Sequence, residues 1–210
     1  MDGGQFTARV PHLKANTTYE CRAYSGDQVG DVVTFSTTET GSVPNMGFED
    51  WHQEEKVICP WAQDGTRFWD TGNHGSTTLS EKDNITLSTE DIRPGSTGKL
   101  AAVLKSQKIV VKFAAGNLFI GEYKETKGTN GVLGFGRSFT SYPTRLKGYF
   151  KYQTALITEA IDKYASLKNQ PDTCIVWVAL GDWELQENPN SGEKTAVEVQ
   201  TDDKGTGKYF

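Results

Sequence analysis

PWAQDGTRFWDTGNHG, residues 60–75, sets paired aromatics and a carboxylate between glycine-bearing turns. On a strand, the adjacent Phe68 and Trp69 point to opposite faces, so only one of them enters a core. Asp70 can accept from backbone two residues on, in an Asx-turn, and Asn73 beside Gly72 tolerates a left-handed conformation. The stretch therefore reads as a short strand running into a turn. That pairing of strand and turn chemistry recurs along the chain and argues for an all-β fold.

Upstream, TTYECRAY (17–24) alternates apolar and polar residues, and VVTFSTTE (32–39) follows a Gly-containing connection, which predicts a hairpin over 17–39. Downstream, KLAAVLKS, KIVVKFAA, KGYFKYQ and CIVWVAL are short β-rich runs between Gly, Asn, Pro and Ser clusters. CIVWVAL (174–180) is apolar on both faces, so it is expected as a central strand covered on two sides, with Trp177 in the core. FAAGNLFIGEY (113–123) reads as two strands around a structural Gly116–Asn117 turn. One segment, TALITEAIDKYASL (154–167), carries apolar residues 156, 157, 160, 161 and 164 at helical spacing, although its start can equally prolong the strand before it.

The 210 residues, 36% of them hydrophobic, suffice for one large core or for an ordinary domain with a smaller piece. A net charge of −5 offers no general attraction to phosphate backbones or anionic lipid, so nucleic acid is not an expected partner. No run approaches the roughly 18 apolar residues that a membrane-spanning helix needs. Cys21, Cys59 and Cys174 match no zinc spacing, and histidine pairs of the zinc-enzyme kind are absent. They are expected as buried thiols, with a Cys59–Cys174 disulfide as the alternative in an oxidising compartment.

Two resemblances add to this reading. LKANTTYECRAY (13–24) resembles the tyrosine corner of immunoglobulin-like and fibronectin type III-like sandwiches, in which the phenol bonds upstream backbone. Residues 1–40 are therefore expected as the C-terminal part of such a domain, with 41–44 as linker. NMGFEDW (45–51), PWAQDGTRFWDTGNHG, DIRPGSTGKLAAVLKS, FAAGNLFIGEY, the run GTNGVLGFGRSFTSYPTRLKGYFKY and CIVWVALGDW resemble, in that order, the putative carbohydrate metabolism domain family of polysaccharide-degrading bacteria. The resemblance implies a double-sheet jelly-roll β-sandwich over 45–210, an extracytoplasmic place at the cell surface or in the periplasm, and a role in glycan handling. The family's last strands are not recognisable after Trp183, so the domain is expected to lack them. In related jelly rolls an Asn and a Glu near the first strand help hold a structural calcium, which points to Asn45 and Glu49.

Candidate ligand contacts follow from chemistry. Sugar rings lie well on exposed indole. Trp177 and Trp51 are expected inside, whereas Trp61 and Trp69 stand in turn-rich text and are candidate platforms, with Tyr142 among the aromatics nearby. Asp70 and Asn73 either shape the turn or project with His74 into a cleft to bond vicinal hydroxyls; no turn requires an imidazole, so His74 is a candidate contact or else solvated surface. Arg137 either ties its loop to free carbonyls or presents its planar fork to a carboxylate, a sulfate or hydroxyls. A glycosidase needs two carboxylates roughly 5 to 10 Å apart. Asp70, Glu122, Asp91 and Asp182, with Asp64 and Glu49 behind them, are the candidates, and no spacing pairs any two. The expected function is non-catalytic glycan binding at Trp69, His74, Trp61, Asp70 and Arg137, with carbohydrate as the partner and neighbouring surface proteins as further ones. The rivals are a carbohydrate-active hydrolase and a structural or adhesive surface module.

Overall fold

A computed structural model of the chain describes residues 7–39, 41–80, 83–110, 112–141, 143–160 and 162–201. Tyr142 and Ile161, named above, lie outside the described residues. The chain divides into two compact units, Met1–Pro44 with Phe139–Tyr142, and Asn45–Ser138 with Pro143–Phe210.

In the first unit β1 (Thr18–Cys21) pairs antiparallel with β4 (Val33–Ser36), and β2 (Tyr24–Ser25) pairs with β3 (Gln28–Val29). Tyr19 stands opposite Phe35, and their rings stack with centroids 5.9 Å apart. The Tyr19 hydroxyl accepts the backbone N–H of Lys14 at 2.7 Å, a phenol bound to upstream backbone as the sequence predicts.

The second unit is organised by one four-stranded sheet in the order β16 (Val197–Gln200), β13 (Asn130–Phe135), β12 (Phe119–Lys127), β7 (Trp69–Asp70). Gly128, at φ 65°, opens the two-residue loop between β12 and β13, a conformation that suits the hand of a tight hairpin. Around the sheet are paired β5 (His52–Glu54) and β6 (Val57–Cys59), β8 (Thr86–Thr89) and β9 (Ala101–Leu104), β10 (Gln107–Ile109) and β11 (Lys112–Ala114), and β14 (Gln186–Glu187) and β15 (Lys194–Thr195). The chain is all-β. Its described strands make this sheet and two-stranded pairings, and the double-sheet jelly roll is not laid out in them.

Three expectations change. CIVWVAL forms no strand, and Ile175 and Trp177 are 82% and 64% exposed; the strand beside β13 is β16. That strand comes from the polar text after Trp183, where β14 and β15 also form. KGYFKYQ is likewise outside the sheets. Of the 154–167 helix only a 3-10 stretch, Asp162–Leu167, is present, and Ile157 instead exchanges backbone bonds with Asn169 and Gln170.

The turn after Trp69 and Asp70 also becomes a helix, α1 (Asn73–Leu79), which no apolar periodicity announces. Its buried face is polar: Asn73, Ser76 and Thr77. Asn73 makes this tolerable. Its amide donates to the carbonyls of Ile58 and Thr86, both at 2.7 Å, and its Oδ1 accepts the N–H groups of Ile85 (2.8 Å) and Thr86 (2.9 Å). One fully buried side chain thus joins α1 to β6 and β8. Asn73→Ala would strand four buried backbone groups, each costing about 1 kcal/mol or more. Urea unfolding is expected to show a loss of about 3 kcal/mol or more, and Asn73→Asp, which removes the two donors, an intermediate or equal loss.

Candidate functional site

Asp70 ends β7 at 1% exposure, opposite Phe119 of β12. Its Oδ1 accepts the N–H of Thr71 at 2.8 Å, and its Oδ2 accepts the N–H of Tyr123 at 2.6 Å. Arg67 completes the shell: its Nε stands 3.2 Å from Oδ2, and one terminal nitrogen bonds the same oxygen more closely. Burial alone would push the carboxyl up; His74, the Arg67 charge and the Tyr123 N–H outweigh it and hold Asp70 below its ordinary value. Of these, His74 Nε2 lies 3.5 Å from Oδ1, beyond good hydrogen-bond geometry, and it is a buried nitrogen without a hydrogen-bond partner.

The other terminal nitrogen of Arg67 lies 3.6 Å from Oε1 of Glu122, itself 2% exposed, whose Oε2 accepts from the Asn188 amide at 3.1 Å. Arg137 lies further along. It donates to the carbonyls of Gly121 (2.8 Å) and Lys194 (3.0 Å) and pairs with Glu193 at 2.7 Å. Burial lowers its pKa against the pull of Glu193 and Glu122, and its Nε is buried without a partner. Between these groups lies an open depression of about 270 Å³ whose wall includes Arg67, Phe68, Arg137, Leu185, Glu193 and Lys194, with Thr66 and Ser138 at its edge.

Of the ligand contacts expected from the sequence, Arg137 alone lines this depression, beside Phe68. Asp70 and His74 come together behind it, where His74 stacks on Tyr123 with centroids 5.4 Å apart. Gly75 permits that packing, since a Cβ there would stand 2.6 Å from the Tyr123 hydroxyl. Phe68 takes the core face, and Trp69 is half-buried, edge-on to Phe48 at 5.1 Å. Trp61 is corrected from an exposed platform to a core residue at 6% exposure, because the Arg67 guanidinium covers its ring at 5.2 Å and the edge of His52 packs at 5.2 Å. Trp51 is half-buried, with its indole N–H bonded to the Phe48 carbonyl. Asn117 is structural, as expected, accepting the Gly72 N–H at 2.7 Å.

The calcium expectation does not fit. The backbone N–H of Lys99 is shared between both carboxylate oxygens of Glu49, and Oε2 also takes that of Leu100, while the Asn45 amide bonds the backbone of Asp50 and Pro60. N–H donors stand where a cation would have to be, and calcium asks for about six to eight oxygens. All three cysteines are free thiols, Cys59 buried, Cys21 and Cys174 exposed, so the Cys59–Cys174 bridge is not formed. Arg67, Glu193 and Lys194 were not singled out in the sequence, where nothing but a charge next to Phe-Trp marks the first and a polar run surrounds the others.

An all-β domain with a shallow open depression beside a buried ion-pair network is the class that this geometry defines. The family model described as Putative carbohydrate metabolism domain matches residues 47–204, and the chain belongs to that family. Membership gives it a carbohydrate-related role. Neither a curated protein nor a solved structure matches the chain. Among the described residues no helix is long and apolar enough to cross a membrane.

Two measurements check the site. Folding lowers the Asp70 pKa, so the ionised carboxylate stabilises fully above the unfolded value near 3.9 and the contribution is lost as pH falls through the lower folded value. Asp70→Asn leaves Arg67 poorly compensated, which is expected to cost about 3 kcal/mol at pH 7 and to flatten the decline in stability below pH ~4, both read by urea unfolding across pH. Burial, with help from Glu54 and Asp70, pushes the Cys59 thiol up to about 12. A disulfide exchange reagent at neutral pH should therefore titrate Cys21 and Cys174 in the native protein and Cys59 only after unfolding.

Proposed function

We propose that the domain binds a glycan without cleaving it, in an extracytoplasmic system that handles polysaccharides. The observation that carries this reading is the charge balance of the depression. Arg67 and Arg137 of its wall are paired with Asp70, Glu122 and Glu193, and Lys194 stands 3.4 Å from Glu187, so the wall offers fixed donors and acceptors whose charges are already paired. Sugar hydroxyls both donate and accept, which suits such a wall, and Phe68 and Leu185 supply apolar surface for the C–H face of a ring. A neutral glycan with vicinal hydroxyls fits better than a uronate or sulfate, because the guanidinium groups already hold carboxylates.

Hydrolysis is less well supported. Asp70 is kept ionised by its neighbours, which disqualifies it as a proton donor near neutral pH, and Arg67 occupies the space between it and Glu122 where a glycosidic oxygen would need to enter.

The test is affinity electrophoresis and calorimetry of the full chain against neutral, uronate-bearing and sulfated polysaccharides. A neutral polymer should bind at micromolar to millimolar strength, and Lys194→Ala with Ser138→Trp, both at exposed positions, should weaken it about ten-fold or more, roughly 1.4 kcal/mol. No binding to any polymer, retention unchanged in the double variant, or release of reducing ends would each sink the proposal.

A further inference from the structure

The β5–β6 hairpin brings three metal-binding side chains together. His52 and Cys59 are register partners across the hairpin, and Glu54 lies two residues along β5 on the same face as His52. Their ligand atoms all fall within 4.8 Å of one another. Ligands on a tetrahedral zinc stand about 3.2 to 3.7 Å apart, given metal bonds of about 2.0 to 2.3 Å, so the set lies somewhat wider than a closed site and has to draw in on binding.

Hydrogen bonding fixes how the imidazole faces. His52 Nδ1 lies 2.6 Å from the carbonyl of Trp61, and a carbonyl only accepts, so Nδ1 carries a proton. In the neutral ring the lone pair is then on Nε2, which points at Glu54 Oε1 from 3.0 Å. Two acceptors face each other at a distance that demands a cation or a proton between them. A backbone carbonyl holding the far nitrogen is the arrangement that orients histidine ligands in metal sites. Cys59 supplies the third donor. It is fully buried, and its thiol makes a weak contact to the Val57 carbonyl at 3.7 Å.

We propose that His52 Nε2, Glu54 and Cys59 Sγ form a zinc site. Binding displaces the thiol proton to solvent, and thiolate with carboxylate then offsets the two positive charges of the ion. Nitrogen, sulfur and oxygen donors together suit zinc, and three protein ligands leave a fourth position for water. Glu54, 55% exposed in its side chain, marks the open side, whereas His52 at 8% and Cys59 close the other. The site is independent of the glycan reading.

The test uses the full chain with Cys21→Ser and Cys174→Ser, which removes the two exposed thiols that would bind zinc on their own. After chelation and removal of the chelator, calorimetry should give one zinc per chain with sub-micromolar affinity, and cobalt(II) should produce a near-ultraviolet thiolate-to-metal absorption. Glu54→Gln, at a solvent-facing position, should weaken zinc at least ten-fold with an unchanged circular dichroism spectrum. Cys59→Ala should abolish the cobalt absorption. If the protein takes up no zinc, or if uptake is indifferent to Glu54→Gln and the cobalt spectrum lacks the thiolate band, the Nε2–Glu54 contact is an ordinary imidazolium ion pair and the proposal is overturned.

Discussion

A carboxylate buried at the end of a two-residue strand must be satisfied from every side, and Asp70 imposes that condition on the unit around it. Its oxygens take backbone N–H groups from Thr71 and from Tyr123 in the middle of β12, and Arg67 brings a cation to them from the approach to β7. The β7–β12 pairing is only two residues long. Without the carboxylate such a pair would have little to define its register. With it, β12 is fixed at Tyr123, the ring of Tyr123 is set against α1, and Glu122 on the other face is carried under Arg67. Burying ions is costly, and the cost is met here by hydrogen bonds that fill the coordination of the charge.

How much of this the sequence discloses depends on whether a side chain's partner is near in sequence. The 17–39 hairpin is legible because alternation and turn residues are local signals: β1 with β4 is where it was expected, and strands flank the Gly116–Asn117 turn as expected, although β11 pairs with β10 and β12 with β13 and β7. The Tyr19 bond is local too. Opacity begins where polar residues do the work of apolar ones. Helix α1 is hidden because its inner face is Asn, Ser and Thr, whose burial makes sense only once the carbonyls of Ile58 and Thr86 are known to be within reach. β16 is hidden for a related reason, since Val197 and Val199 alternate with Glu198 and Gln200 inside a tail that reads as solvent-facing. CIVWVAL errs in the other direction. Its β propensity is genuine, but propensity does not say which strand occupies the place beside β13. The candidate site follows the same rule: Arg137 is visible as an arginine in a glycine loop, whereas Arg67, Glu122 and Glu193 become a network only through the sheet. His52, Glu54 and Cys59 fit no recorded zinc spacing because the hairpin, not the interval, brings them together.

Trp61 links the two halves of the second unit's chemistry. Its indole lies under the guanidinium of Arg67, and its carbonyl sets the tautomer of His52. The depression and the hairpin cluster are thus held by one core residue through different atoms, ring and backbone. A side chain that the sequence nominates as a landing surface for sugar instead serves as a fixed reference between an ion-pair network and a set of donors, and both depend on its being immobile.

The run Ile175 to Leu180 carries a further consequence. It is extended, β-branched, nearly free of charge and open to water along most of its length, with Trp177 at its centre. Net charge of −5 keeps copies of the chain apart at long range but is screened within a Debye length of about 10 Å in ordinary buffers. At shorter range the behaviour of concentrated solutions passes to these few residues, whose unpaired N–H and C=O groups offer a ready ladder to any strand of matching register. Colloidal behaviour, and its sensitivity to salt, is therefore governed by a segment that contributes nothing to the buried core.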